Sequence, residues 1–267
     1  MIEQRQRRIV AASIPLMLAA ISVTAHAQNL EAEKTQTLKA ARQGYYNLKR
    51  AGLVEFSANI QPNWDSLLPE VKNRSKGREL LDSLRFSLSV DSQSKLRMDH
   101  YAEIVPSDQK LAEFVDRIFK GMDESVSSFF GTWSIFSLTS PFPDVGSDYA
   151  ISESAGRYIF TQRQSNLDVM VSTDNDFMVT EIRASGPELT ASLNPVLEKT
   201  ANGFLLKGYI ARSELLSGAR KTTVKASLEY AEVNGLKMLH KVSLDTVFQG
   251  EPAKVEWLFS NYQVKVR

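Results

Sequence analysis

The sequence predicts an α+β fold: a curved, unclosed antiparallel β half barrel of about eleven strands, with helices covering the concave face. Three observations predict it. Apolar and polar residues alternate in eleven segments, eight of which follow one another in the C-terminal half. Short turn signals separate these segments, which favours antiparallel hairpins because parallel strands need long crossovers. One long apolar stripe at helical spacing remains to cover a face of the sheet, and a single sheet of so many strands curls.

The first 27 residues have the pattern of a secretory signal peptide. A basic start with three arginines precedes an apolar run, and the tripeptide Ala-His-Ala at 25–27 offers the small residues that a signal peptidase reads. We therefore expect cleavage after residue 27, a periplasmic location and one domain over 28–267. Removal of the signal changes the formal net charge from +1 to −1. A nearly neutral chain is not typical of a nucleic-acid-binding protein.

The absence of cysteine sets a further condition on the fold. The chain has no cysteine in its 267 residues, so no disulfide can stabilise an exported domain. A domain of about 240 residues is large enough to be held by its apolar core alone.

The N-terminal half of the exported chain mixes helices and strands. The pattern predicts a helix over 29–51 that ends at Gly52, a strand over 53–61 and a broken helical stretch over 65–84. Segments 85–91 and 95–104 then predict a hairpin whose turn is Ser-Gln-Ser.

The longest predicted helix spans 107–130. Its nine apolar residues form a continuous stripe at helical spacing, and Ser107 is a candidate for its N-cap. An aromatic segment follows and extends the apolar surface to Phe142.

Strands fill the rest of the chain almost without interruption. The predicted segments are 149–154, 157–162, 167–173, 177–185, 204–213, 221–233, 236–248 and 254–266. We expect an antiparallel meander in which the C-terminal strand lies at or near one edge of the sheet.

Four pieces of the chain carry a resemblance to a known family. They are "GLVEFSANIQPNW", "NPVLEKTANGFLLKGYIA", "YAEVNGLKMLHKVSL" and "VEWLFSNYQV". Together with the order of elements over 30–267, they resemble the periplasmic lipoprotein carriers of the LolA/LolB type. The resemblance implies an unclosed antiparallel barrel with a helical lid over an apolar cavity. It also implies binding of lipids or acyl chains, but it assigns no individual residue.

No catalytic or metal-binding pattern stands out. His100 and His240 each fall inside a strand pattern, and the matches to Ser-x-x-Lys at Ser107 and Ser92 lack the companion motifs of penicillin-recognising enzymes. Carboxylate pairs such as Asp174 and Asp176 lie in turns. We therefore predict a non-catalytic protein with no cofactor and no metal.

The helical stripe is the candidate functional site. Most such stripes are core, but a half barrel is too wide for one helix to fill, so an apolar pocket is expected beside it. The residues predicted to line or gate this pocket are Phe114, Ile118, Phe119, Met122, Phe129, Phe130, Trp133 and Phe136.

Two functions follow from this expectation. The first is a periplasmic carrier that binds a lipid, an acyl chain or a lipoprotein and transports it between membranes. The alternative is an envelope sensor or adaptor domain that binds another protein through the half barrel, by an exposed apolar patch or sheet edge.

Overall fold

The computed structural model describes residues 31–68, 75–106, 108–215 and 221–267. The predicted signal peptide lies outside the described residues. Within them, no helix combines the length and the apolar character needed to cross a membrane. The architecture is α+β, with twelve antiparallel strands in one unclosed sheet, and it confirms the predicted half barrel.

Four helices and twelve strands make up the described chain. The helices are α1 (31–43), α2 (Trp64–Leu67), α3 (Ser75–Asp82) and α4 (Gln109–Ser137). The first strands are β1 (Leu53–Pro62), β2 (Leu84–Val90), β3 (Leu96–Ala102), β4 (Ala150–Ser154), β5 (Arg157–Gln164) and β6 (Leu167–Thr173). The remaining strands are β7 (Val179–Ser185), β8 (Leu189–Thr200), β9 (Gly203–Leu215), β10 (Lys221–Val233), β11 (Leu236–Phe248) and β12 (Glu251–Val266).

The sheet order is β3-β2-β1-β12-β11-β10-β9-β8-β7-β6-β5-β4. Strands β4 to β12 thus form the predicted meander, and β1 to β3 extend the sheet beyond β12. Register shifts interrupt the pairs β1–β12, β6–β7, β8–β9 and β10–β11. Such bulges bend a strand and increase its twist, so they contribute to the curvature of the half barrel.

The position predicted for the C-terminal strand is wrong. β12 is an interior strand that pairs with β1 on one side and β11 on the other. Leu53 faces Val266 across this pair, and the N–H of Arg267 donates to the carbonyl of Gly52 at 2.9 Å. Strand β1 occupies the side of β12 that the meander leaves open, because both backbone edges of so long a strand need partners.

Strand β8 was not predicted, and it raises the strand count of the described residues from eleven to twelve. Pro195 lies in this strand, and proline is typical of edges rather than of sheet interiors. The structure gives the reason why it is tolerated. Neighbouring β7 pairs with β8 only from Thr190 to Leu193, so Pro195 lies where only β9 flanks the strand.

Helix α1 is shorter than the predicted helix over 29–51. It ends at residue 43, and Tyr45 then forms a bridge to Phe204 of β9. Phe204 donates its N–H to the carbonyl of Gly44 at 2.8 Å and accepts from the N–H of Tyr46 at 2.9 Å. The chain therefore leaves the helix early because β9 offers backbone partners.

Gly203 makes this close approach between α1 and β9 possible. Its φ is +106, and a Cβ built on it would lie 2.6 Å from the carbonyl oxygen of Gly44. Both the left-handed backbone and the lack of space demand glycine here.

We expect Gly203→Ala to lower the free energy of unfolding by about 3 kcal/mol, because it combines backbone strain with a clash against backbone atoms. Gly250→Ala is the matched control. Its φ is +91 and nothing lies within 4 Å of the added Cβ, so it should cost only about 1 kcal/mol. Urea denaturation measures both values, and equal losses would contradict the role given to the α1–β9 contact.

Candidate functional site

Helix α4 lies on the concave face of the sheet. Its N-cap is Asp108, whose side chain accepts from the N–H of Leu111 at 3.0 Å. Ser107, the cap that the sequence suggested, lies outside the described residues. The helix continues to Ser137, seven residues beyond its predicted end, and so takes in part of the aromatic segment.

The C-terminal half of α4 is buried in the core. Five of the eight predicted site residues lie there, each at most 3% exposed: Met122, Phe129, Phe130, Trp133 and Phe136. The rings of Phe129, Phe130 and Trp133 meet aromatic residues of the sheet. Phe129 lies 5.8 Å from the ring of Trp257, and Trp133 lies 6.5 Å from that of Phe56. These contacts anchor the helix to the centre of the sheet.

The N-terminal half of α4 is less buried, and Val115 is the residue of this half that lies in the core. The other three predicted site residues, Phe114, Ile118 and Phe119, are half-buried. Phe119 stacks on the imidazole of His100 in the edge strand β3, with 4.1 Å between centroids and 17° between planes. His100 Nε2 also lies 3.2 Å from Asp123 Oδ2. This half of the helix therefore rests on one edge of the sheet.

Two buried polar atoms at the contact between α4 and the sheet have no hydrogen-bond partner among the described residues. They are Asp123 Oδ1, beside the His100 contact, and Trp257 Nε1, under Phe129. An unpaired buried polar atom costs about 1–3 kcal/mol. The interface between α4 and the sheet thus buries its apolar side chains well but leaves two polar atoms without a hydrogen bond.

Tyrosine hydroxyls form a polar layer between the sheet and the end of α4. Trp133 donates its indole N–H to Tyr230 Oη at 3.3 Å, and Tyr230 donates in turn to the carbonyl of Leu206 at 2.6 Å. Burial raises the pKa of Tyr209 to about 12, although a hydrogen bond with Thr132 opposes this shift. Burial also raises the pKa of Tyr230.

A cleft lies on the opposite, outer face of the sheet. It has a volume of about 860 Å³, and α3 and the outer faces of β1, β2, β11 and β12 supply much of its lining. Neither this cleft nor two smaller ones is lined by a residue of α4. The pocket predicted from the helical stripe therefore stays a prediction, and the outer cleft is a site that sequence reasoning missed.

The histidines differ in environment. His100 has the stacked ring and the carboxylate partner described above, whereas His240 is exposed on β11. Among the described residues, no three histidine, aspartate or glutamate side chains come close enough to hold a metal ion.

Comparison with models of known protein families gave no match, and neither curated proteins nor solved structures matched the chain. The resemblance to the lipoprotein carriers therefore remains an expectation based on the quoted segments.

The unequal burial along α4 predicts an unequal response to truncation. Phe129→Ala and Trp133→Ala should each cost about 3–5 kcal/mol, because both rings are buried. Phe114→Ala should cost about 1 kcal/mol, since its half-buried ring loses less contact. Urea denaturation of the three variants checks this order, and a Phe114→Ala loss as large as that of Phe129→Ala would contradict it.

The buried tyrosines predict a loss of stability at alkaline pH. Because folding raises the pKa of Tyr209 from 10.0 to about 12, its contribution is fully present below pH 10 and is lost as the pH rises to 12. The slope should be about 1.4 kcal/mol per pH unit for each such tyrosine. Denaturation at several pH values should show a shallower slope for Tyr209→Phe, and an unchanged slope would count against this assignment.

Proposed function

We propose that the protein is a non-catalytic periplasmic carrier that takes up an acyl chain between the N-terminal half of α4 and strands β2 and β3. The observation that carries this proposal is the change in burial along one helix. Its C-terminal half is fixed by buried aromatic rings, whereas Phe114, Ile118 and Phe119 are half-buried beside a sheet edge. A helix held in this way can open at one end and stay attached at the other.

The contacts at the open end are few and separable. Phe119 stacks on His100 and meets the ring of Phe86 at 5.6 Å, and Asp123 approaches His100. Strand β3 is an edge strand, so displacement of α4 from it breaks no sheet pairing. Opening would also give Asp123 Oδ1 access to water, which removes the cost of an unpaired buried oxygen.

The contact between α4 and strands β2 and β3 has the properties of an acyl-chain site. Apolar rings on α4 and apolar side chains on the inner face of β2 and β3 would contact the acyl chain along its length. Leu88, Met98 and Leu96 lie among the core or pack against it. Each buried methylene contributes about 0.8 kcal/mol, so a long chain can offset the cost of opening without any polar contact.

The proposal is tested by linking α4 to β3. Because the chain has no cysteine, a His100→Cys/Asp123→Cys variant carries only the two introduced thiols, and a short bifunctional thiol reagent can join them. Dansyl-undecanoic acid serves as the fluorescent probe. The unlinked variant should bind it, and the linked protein should bind at least about tenfold more weakly, since each tenfold loss corresponds to about 1.4 kcal/mol.

A second pair of variants separates the pocket from the fold. Phe119→Asp places a charge in the proposed site and should abolish probe binding, while the half-buried position allows the protein to fold. Ser127→Asp adds the same charge on the exposed face of α4 and should bind as the wild type does. A wild type that binds no probe, or a linked form that binds it equally well, would refute the carrier.

The alternative of an envelope adaptor has support in the sheet edges. Strand β4 is an edge strand whose residues are almost all exposed, and β3 is the other edge. The backbone groups on the outer side of such strands can pair with a strand of another protein. Absence of probe binding in a correctly folded wild type would leave this adaptor as the favoured function.

A further inference from the structure

The outer cleft lies on the face of the sheet away from α4. Asn59 and Gln61 of β1 are exposed in it, and they alternate with Ala58 and Ile60, which are buried on the helix side. Its volume of about 860 Å³ falls within the range of small-molecule sites, about 300–1,000 Å³. The cleft therefore opens on the face away from the site proposed above, although Phe86, which contacts Phe119, also belongs to its lining.

The charged side chains around the cleft neutralise one another. Arg78 pairs with Asp82 at 2.9 Å and also with Asp65, and Arg85 pairs with Glu103 at 2.6 Å. These ion pairs form one wall. They leave little net charge to attract an ionic ligand.

Glu256 pairs with two lysines at the other side of the cleft. Its carboxylate accepts from Asn63 Nδ2 at 2.9 Å and lies 3.2 Å from Lys254 Nζ and 3.8 Å from Lys241 Nζ. These partners, Asn63 first, hold the pKa of Glu256 below its usual value. The carboxylate therefore stays charged and paired, and it fixes α2 against the sheet.

Four uncharged polar side chains of the cleft have no hydrogen-bond partner among the described residues. Asn59 lies directly between Ser87 of β2 and Ser260 of β12 in the strand register. Gln61 faces Leu258 of β12 in the same way. The side chains of Asn59, Gln61, Ser87 and Ser260 make no hydrogen bond to any other described residue. They form a patch of neutral donors and acceptors across three strands.

Two exposed apolar surfaces lie beside this patch. Tyr101 is 61% exposed and Leu258 is 42% exposed, and both line the cleft. Tyr101 faces Arg85 across the β2–β3 pair, and Leu258 faces Lys241 across the β11–β12 pair. The cleft thus offers ring and alkyl surfaces next to groups that both donate and accept hydrogen bonds.

We propose that this cleft binds a neutral oligosaccharide. Sugar hydroxyls donate and accept at once, as the amides of Asn59 and Gln61 and the hydroxyls of Ser87 and Ser260 do. The C–H faces of a sugar ring match the exposed surfaces of Tyr101 and Leu258. An anion would have to compete with carboxylates for the paired arginines, and a wholly apolar ligand would leave the amides unpaired.

Saturation-transfer nuclear magnetic resonance tests the proposal, with chitotriose, maltotriose and cellotriose as probes. At least one of the three should bind the wild type. Tyr101→Ala and Gln61→Ala should each weaken that binding by at least about fivefold, which corresponds to about 1 kcal/mol.

Two control variants remove the same kinds of side chain elsewhere. Phe248→Ala deletes an aromatic ring that is 47% exposed, and Gln164→Ala deletes an exposed amide of β5. Both should bind the sugar as the wild type does, and thermal midpoints confirm that all variants fold. Absence of binding by all three sugars, or equal losses in the control variants, would overturn the proposal. So would binding of inorganic phosphate in place of the sugars.

This outcome is independent of the carrier experiment, because the two sites lie on opposite faces of the sheet. Tyr101→Ala should leave the affinity for dansyl-undecanoic acid unchanged.

Discussion

The half barrel depends on the packing of the C-terminal half of α4 against the middle of the sheet. Trp133, Phe129 and Phe130 bring their rings against Phe56, Trp257 and Phe259 of β1 and β12. These two strands join the N-terminal part of the sheet, β1 to β3, to the meander. The same aromatic cluster therefore fills the concave face and fixes the junction between the two parts of the sheet, and loss of the helix would expose the core to water.

Because α4 packs on one face only, the two faces of the sheet present different side chains. Inside, apolar packing weakens along α4 toward the edge strand β3, so the helix–sheet contact offers an apolar surface that opening would reach. Outside, Arg78 joins α3 to α2 through Asp65, and the hydrogen bond from Asn63 to Glu256 holds α2 close to the sheet. Neutral amides and hydroxyls stay accessible beside these contacts. One sheet can in this way present two sites whose ligands would share no chemistry.

The sequence predicted the elements whose pattern is local and missed features that depend on distant neighbours. Eleven strands and the long helix followed from period and turn signals alone. Strand β8 was missed because Pro195 argues against a strand unless the neighbouring strand is known to end first. The interior position of β12 was missed for the same reason, since β1 pairs with it from some 200 residues away.

The candidate sites show the same division. The stripe on α4 could be read from the sequence, but its division into an anchored and a peripheral half needed the positions of Trp257 and β3. The outer cleft could not be predicted from the sequence, because Asn59, Ser87 and Ser260 become neighbours only through the strand register.

Native-state hydrogen exchange along α4 tests whether one half of the helix is anchored and the other half can open. We expect amides of 113–121 to exchange through local opening at a lower free energy than those of 122–137. Uniform protection along the whole helix would contradict it.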